Sequence, residues 1–143
     1  MTRSEIRALI ERYRSAWERQ DIGLLVDCYT EDCRILSPMF HTIEGRSHVE
    51  ASFRELFKGL SDWTLPIEDL IVDHEPADRA AAFFTAHGTH RGEIFGVAGT
   101  GRPFEIRSAI LFEFSLGRIA REARLYDFTG LLVQLGILKT KMV

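Results

Sequence analysis

Hydrophobic residues recur along the first twenty positions of this chain with the period of a helix that packs one face against a core. The apolar positions lie three and four residues apart, as the 3.6-residue turn of a helix requires. They are Ile6, Leu9, Ile10, Tyr13, Ala16 and Trp17. The pattern predicts a helix from about Ser4 to Gln20, and Thr2 with Glu5 has the spacing of a capping box at its start.

Two more helices and a short strand are predicted before residue 62. A brief apolar pattern indicates a short second helix that includes Leu24, Leu25, Cys28 and Tyr29. Cys33 to Ser37 is typical of a brief strand that Pro38 ends. Ser47 and Glu50 have the spacing of a second capping box, so a third helix is expected to begin there and to end near Gly59.

From Asp62 onward apolar and polar residues alternate, which is the period of strands. Four candidate strands follow, over Thr64–His74, Arg79–Glu93, Pro103–Ser115 and Arg118–Asp127. Helices that precede a run of strands are typical of α+β proteins, in which the helices cover one face of an antiparallel sheet. Because the chain has no internal repeat or linker, residues 1–143 are expected to form a single domain.

The strand predicted over Pro103–Ser115 has apolar residues on both of its faces. One face carries Phe104, Ile106, Ser108, Ile110, Phe112 and Phe114, and the other mixes Ala109 and Leu111 with charged residues. A strongly curved sheet accounts for this pattern, because its concave face can enclose a cavity while its outer face meets water or a second subunit. Ala109 and Leu111 therefore predict a homodimer that forms through the outer face of the sheet.

Composition and charge exclude several function classes. The chain is 45% hydrophobic and 27% charged, as an ordinary globular domain is. Its net charge of -3 gives no electrostatic reason to bind nucleic acid or an anionic membrane, and its apolar runs are too short to span a bilayer. The first residues lack a signal-peptide pattern, and Cys28 and Cys33 do not make a disulfide framework, so reduced thiols and a cytoplasmic location are expected.

Asp127 is the first candidate for chemistry. It stands between two aromatic residues, where the last predicted strand meets an amphipathic helical segment that carries Leu131, Leu132 and Leu135. The carboxylate would cap that helix, a role for which Asp is preferred. Alternatively, the leucines would shield it from water, and burial raises the pKa of a carboxyl group toward the range that general acid–base catalysis needs. The residues themselves leave both interpretations open.

Two histidines on one predicted strand offer a second candidate. His90 is either a proton donor in a pocket or a hydrogen-bonded strand histidine. His87 stands three residues earlier, so on a regular strand the two side chains face opposite sides, and no metal site is predicted.

Arginine and aromatic side chains supply candidates for substrate binding. Arg107 and Arg124 either bind a substrate oxygen or pair across strands with Glu105, Glu113 or Glu122. Trp17 and Phe53 are expected to be core residues that also form pocket walls, together with Trp63.

Four short motifs follow one another in the second half of the chain. They are Gly88-Thr89-His90-Arg91-Gly92, Gly99-Thr100-Gly101, Gly117-Arg118-Ile119, and Asp127 before Leu131-Leu132-Val133-Gln134-Leu135-Gly136. In this order and spacing they resemble the SnoaL-like polyketide cyclases (ester cyclases) of the nuclear-transport-factor-2-like superfamily. Through "YTEDCRILSP" and "IEGRSHVEASFRELF" the resemblance extends more loosely over nearly the whole chain.

The resemblance implies an α+β cone, in which three N-terminal helices close a curved antiparallel sheet around a pocket that contains Asp127. In the cyclases this Asp acts as general acid and base for an intramolecular aldol closure, which requires neither metal nor cofactor. The implied ligand is a small apolar carbonyl compound, and Asp127 and His90 become the catalytic candidates. The candidates for substrate binding are Trp17, Ser37, Phe53, Arg107 and Arg124.

The chain departs from the cyclase pattern at three places. Ala123 stands where many relatives have Trp, four residues before the Asp, and Leu125 stands where cyclases can carry His. Leu36-Ser37-Pro38 replaces a frequent His-Asn-Pro. The expected function is a proton-transfer enzyme of the cyclase type. The alternatives are a related isomerase or hydratase, or a non-catalytic ligand-binding pocket on the same fold.

Overall fold

The computed structural model describes residues 1–139 and contains four helices and seven strands in this part of the chain. The helices are α1 (Arg3–Arg19), α2 (Ile22–Asp27), α3 (Arg46–Gly59) and α4 (Phe128–Gln134). The strands are β1 (Tyr29–Ser37), β2 (His41–Glu44), β3 (Leu60–Thr64), β4 (Ile67–Asp73), β5 (Arg79–His90), β6 (Pro103–Ser115) and β7 (Arg118–Tyr126).

Helix α1 forms as its hydrophobic period predicts. All six of its predicted core residues are buried. The capping box is also confirmed, because the Thr2 hydroxyl accepts from the Glu5 N–H while the Glu5 carboxylate accepts from the Thr2 N–H. The helix ends at Gln20, whose φ of 52° breaks the helical path.

Helix α3 begins differently from the prediction. Its N-cap is Gly45, with φ 86°, and no side chain caps the helix there. Ser47 is an exposed residue inside the first turn, so the predicted Ser47–Glu50 capping box is wrong. A glycine reaches this positive φ without the steric cost that a Cβ would bring, and the backbone can turn into the helix at that point.

The strands form one sheet in the order β2-β1-β7-β6-β5-β3, and β4 also pairs with β5. Strands β3 and β4 share one edge of the long β5, and Pro66 lies between them. A proline cannot donate a ladder hydrogen bond, which explains why the strand predicted over Thr64–His74 begins only at Ile67, after Pro66. Strand β3, which lies almost wholly before the predicted strand, is an additional strand that the alternation does not predict. Strand β1 pairs parallel with β7, so the sheet is mixed, although its remaining pairs are antiparallel as predicted.

The inner face of the sheet meets the helices in one hydrophobic core. Tyr13 of α1 lies edge-on against Phe112 of β6, with ring centres 5.2 Å apart. Trp17 of α1 contacts Phe53 of α3 at 5.2 Å and Trp63 of β3 at 4.9 Å, also edge-on. These contacts hold α1 and α3 over the concave side of the curved sheet, and the α+β fold class predicted from the sequence is confirmed.

Two smaller expectations concern the cysteines and the membrane. Cys28 and Cys33 are free thiols and are fully buried, and burial raises the pKa of Cys33 to about 11. Within residues 1–139, no helix combines the length and the apolar character that a membrane crossing needs.

The two predicted capping boxes give a matched test of helix capping. We expect Thr2→Ala to lower the free energy of unfolding by about 0.5–2 kcal/mol, because the Glu5 N–H loses its acceptor. Ser47→Ala should change it by less than about 0.5 kcal/mol, because Ser47 is exposed and makes no capping bond. Urea denaturation followed by circular dichroism measures both, and an equal loss in the two variants would contradict the assignment of the caps.

Candidate functional site

A partly enclosed pocket lies between the concave face of the sheet and the helices. Its volume, measured as the space open to the centre of a water molecule, is about 50 Å³. In this measure one water needs about 10–15 Å³, so the pocket holds a few waters or a small organic group. The wall is formed by Tyr13, Trp17, Ser37, Met39, Phe40, Leu56, Leu60, Trp63, Leu65, Ala86, Ile106, Ser108, Ile110, Arg124, Tyr126 and Leu131.

Among the described residues that form this wall, Arg124 of β7 is the one with a charged side chain. It is 7% exposed. Its guanidinium carbon lies 5.6 Å from the centre of the Trp17 ring and 5.5 Å from the centre of the Phe53 ring. Both distances fall within the range of a cation–π contact, so α1 and α3 hold the cation in a fixed plane.

Glu122, two residues before Arg124 on the same face of β7, supplies the counter-charge. It is completely buried, and its Oε2 accepts from Arg124 Nε and, at 3.1 Å, from the Tyr13 hydroxyl. Its Oε1 accepts from the Tyr29 hydroxyl at 2.5 Å. The sequence predicted a pairing of Arg124 across strands, but the ion pair runs along a single strand.

The cluster of Glu122, Arg124, Tyr13 and Tyr29 has strongly shifted acid–base properties. Burial acts to lower the pKa of Arg124, but the adjacent Glu122 carboxylate opposes it, and the pKa of the guanidinium lies well above its ordinary value. Burial raises the pKa of Tyr13 and of Tyr29, and the Glu122 carboxylate raises both further. The guanidinium therefore stays charged, and the two hydroxyls stay neutral donors.

One nitrogen of Arg124, the buried Nη2, has no hydrogen-bond partner among the described residues. A buried donor without an acceptor is costly, and a ligand oxygen that accepted from it would remove that cost. The site thus offers one oriented, charged donor in a mainly apolar wall.

Asp127 lies outside this pocket. Its side chain is exposed, and its Oδ1 accepts from the Gly130 N–H at 2.8 Å, which caps α4. A Cβ at position 130 would lie 2.2 Å from Asp127 Oδ2, so the glycine permits this close approach. The expectation that Asp127 is enclosed by the pocket is wrong, although Leu131 and Leu135 are buried as predicted.

A bulge in β7 explains where Asp127 lies. Strand β6 pairs Phe114 with Ile119 but Glu113 with Arg121, so Ala120 is an extra residue on β7. An extra residue reverses which side chains point inward beyond it. Ile119 is buried before the bulge, and Glu122 and Arg124 are buried after it.

His90 is completely buried but does not belong to the pocket wall. Its Nδ1 lies 3.0 Å from the Thr100 hydroxyl, in the loop between β5 and β6. His87 points to the other side, as predicted, with its Nε2 3.1 Å from Glu105 Oε1. In residues 1–139 no group of three or more His, Cys, Asp or Glu side chains is arranged to hold a metal ion.

The five candidates for substrate binding have different positions. Trp17, Ser37 and Arg124 line the pocket, and Phe53 is a buried residue behind it. The Ser37 hydroxyl also accepts from the backbone N–H groups of Met39 and Phe40, which fold over the pocket. Arg107 is exposed on the outer face of β6, away from the pocket.

Sequence reasoning missed the polar partners that hold Arg124 in place. The pattern indicates Tyr13 only as a core residue, Tyr29 only as part of a short helix, and Glu122 only as a possible cross-strand partner of an arginine. The signal that was available is the spacing of Glu122 and Arg124, which puts two opposite charges on one strand face. Whether that face points inward depends on the bulge, which alternation alone does not reveal.

Comparison with known proteins gives a consistent result. The family model of the SnoaL-like polyketide cyclases matches residues 7–135. No curated protein matches the sequence. TsrD from Streptomyces laurentii has a similar structure, with a TM-score of 0.82 and 27% sequence identity over 96% of this chain and 99% of that one.

Two further solved structures share the fold at lower identity. A protein with a ketosteroid isomerase-like fold from Catenulispora acidiphila DSM 44928 has a TM-score of 0.75 and 14% identity, over 91% of this chain and 93% of that one. An NTF2-like protein of unknown function from Burkholderia pseudomallei K96243 has a TM-score of 0.78 and 18% identity, over 94% of this chain and 98% of that one.

The buried ion pair predicts a large difference between two arginines. We expect Arg124→Met to lower the free energy of unfolding by about 3–5 kcal/mol, because the Glu122 carboxylate would stay buried without its cation. Arg107→Met, on the outer face, should change it by no more than about 0.5 kcal/mol. Urea denaturation of both variants at one protein concentration measures the difference, and equal stabilities would contradict the pairing.

Proposed function

The chain belongs to the SnoaL-like polyketide cyclase family, and from that premise we propose that it is a cyclase-type enzyme acting on a small, mainly apolar carbonyl compound. The observation that carries this proposal is Arg124, a buried cation in the apolar pocket wall whose Nη2 has no hydrogen-bond partner among the described residues. An apolar ligand packs against such a wall, and a carbonyl oxygen on that ligand accepts a hydrogen bond from the guanidinium.

The surroundings of Arg124 suit it to stabilise negative charge on that oxygen. Hydrogen bonds are stronger where water is excluded. The contacts with Trp17 and Phe53 fix the plane of the guanidinium before a ligand arrives. A donor that is oriented in advance costs no reorganisation when charge develops on the substrate, which is the usual origin of electrostatic catalysis.

Ring closure by an aldol route needs this kind of stabilisation. A base removes the proton between two carbonyl groups, and the resulting enolate carries its charge on oxygen, where Arg124 donates. The enolate carbon then forms a bond to a second carbonyl carbon, and the proton returns to the oxygen of that carbonyl. Proton and electron pairs balance without an oxidant or reductant, which agrees with a cofactor-free reaction.

The composition of the pocket wall favours a second candidate function. Among its residues there is no carboxylate and no imidazole that would accept the proton, and Asp127 is engaged as a helix cap. A non-catalytic module that binds a small apolar ligand would use the same Arg124 contact and would need no base. The two candidates differ in turnover, not in where the ligand lies.

The outer face of the sheet supports a homodimer. Phe83, Ala109 and Leu125 stand side by side on β5, β6 and β7 through strand pairing. Leu111 pairs with Ala81 and Ala123 in a neighbouring row. Leu125 is 70% exposed, and Leu111 and Phe83 are about two-fifths exposed. A contiguous apolar patch on an outer face is typical of a protein–protein contact, and we assign its partner as a second copy of this chain.

Turnover separates the two candidate functions. With a β-dicarbonyl ester that has a second carbonyl within reach of ring closure, we expect Arg124→Lys to lower kcat/KM by roughly 10²–10³-fold, because the planar donor is lost. Asp127→Asn should leave turnover unchanged, because its carboxylate is exposed and Asn also caps helices. The measurement is steady-state product formation by liquid chromatography.

Other outcomes of that assay are equally decisive. A loss of roughly 10²–10⁴-fold in Asp127→Asn would restore the general acid–base role for Asp127. Binding without turnover in the wild-type protein would establish the non-catalytic module.

The dimer is tested by one substitution on the patch and one away from it. We expect the wild-type chain to scatter light with twice the 16.3 kDa mass of one chain at micromolar concentration. Leu125→Glu should give a single-chain mass, because it places a charge in the interface. Leu116→Glu is the control, since Leu116 is 93% exposed in the turn after β6, away from the patch. A wild-type mass of one chain would refute the dimer.

A further inference from the structure

We propose that Glu122 determines which ligands the pocket accepts: it neutralises Arg124, so that the pocket selects an uncharged carbonyl oxygen over a carboxylate. This inference rests on the proposed ligand site at Arg124. It adds a role for a residue that does not line the pocket and that acts on the ligand only through Arg124.

The charge balance of the cluster is the first support. Glu122 is completely buried, and Arg124 is nine-tenths buried, so the two charges compensate each other away from water. Within residues 1–139, no other charged side chain belongs to the pocket wall. Arg46 is a further cation near this cluster, and its Nη2 donates to the backbone carbonyl oxygen of Tyr29. Arg46 stands outside the pocket wall, so the charges that the ligand meets are those of the Glu122–Arg124 pair, whose formal sum is zero.

The geometry of Arg124 is the second support. Glu122 takes up Nε and leaves Nη2 free. A carboxylate usually binds a guanidinium through two parallel hydrogen bonds. Here Glu122 already occupies one edge of the group, and a ligand carboxylate would share the cation with a second anion. A ketone or ester oxygen needs only one donor and brings no charge.

The energetic consequence follows from burial. An added anion that is not compensated by a cation has a large desolvation penalty in a partly enclosed, mainly apolar pocket. A neutral carbonyl group pays little and satisfies the free Nη2. The pocket should therefore prefer an ester to the acid of the same skeleton, even though an arginine is its only charged wall residue.

Stability alone does not account for the arrangement. A buried ion pair is often no more stabilising than apolar residues of the same volume. Tyr13 on α1 and Tyr29 on β1 are both used to satisfy the Glu122 carboxylate. The cluster joins α1, β1 and β7 around the Glu122 carboxylate, and this carboxylate in turn orients the Arg124 guanidinium and compensates its charge.

The test compares two ligands of the same skeleton at pH 7.5, the neutral methyl levulinate and the anionic levulinate, which differ in charge and by one ester methyl group. Binding is followed by the fluorescence of Trp17 and Trp63, which both line the pocket. The wild-type chain should bind the ester at least about tenfold more tightly than the carboxylate. Glu122→Gln removes the compensating charge and keeps the shape, so the ratio should shift toward the carboxylate by roughly 10–100-fold.

The control is Tyr29→Phe, which removes one donor to Glu122 but leaves the charge balance intact. Its ratio of ester to carboxylate binding should equal that of the wild-type chain. If Glu122→Gln weakens both ligands equally, Glu122 is only structural and the inference is overturned. If Glu122→Gln does not fold, the ratio of ester to carboxylate binding in the wild-type chain is the test. Equal binding of the two ligands, or tighter binding of levulinate, then overturns the inference.

The proposed function fails in a different way. If neither ligand binds the wild-type chain, the pocket at Arg124 is not the ligand site, and the inference falls with it. If the ester binds but is not preferred, the ligand site stands and only the role of Glu122 is refuted.

Discussion

The buried carboxylate of Glu122 constrains how the core of this protein is assembled. A charge without access to water must have hydrogen-bond donors around it, and it accepts from Tyr13 on α1, Tyr29 on β1 and Arg124 on β7. These donors come from the first helix, the first strand and the last strand. The parallel pairing of β1 with β7 brings two of these elements together, and α1 must then lie across them. The pocket is the space left beside this cluster.

The elements that depend on local pattern were predictable from the sequence. The 3.6-residue period of α1 and its capping box are properties of neighbouring residues, and the structure contains both. Strand β6 has its predicted bounds, since its alternation is long and regular. The errors arise where a single residue changes the backbone path, as Gly45 does before α3 and Pro66 does between β3 and β4. The parallel β1–β7 pair joins residues about ninety positions apart, and no local pattern encodes it.

The site was predicted less well than the fold, for a specific reason. If side chains alternated regularly along β7 from the buried Ile119, Asp127 would point to the inner face of the sheet. The bulge at Ala120 reverses that assignment, so Glu122 and Arg124 point inward and Asp127 does not. One extra residue therefore exchanges the side chains that enter the pocket. Trp17, Ser37 and Arg124 could be chosen from the sequence as pocket candidates. The orientation of the side chains on β7 could not be predicted, because it depends on the bulge.

The same bulge changes the meaning of the departures from the cyclase pattern. Ala123, Leu125 and Asp127 alternate with Glu122, Arg124 and Tyr126, and in this chain the second set is the one near the pocket. Ala123 and Leu125 thus alter the outer face, where they join the apolar rows of Phe83 and Leu111. On that face they belong to the apolar patch on which the proposed homodimer rests. The chemistry of the pocket depends instead on the Glu122–Arg124 ion pair. This pair is a property of the site, and the fold by itself does not require it.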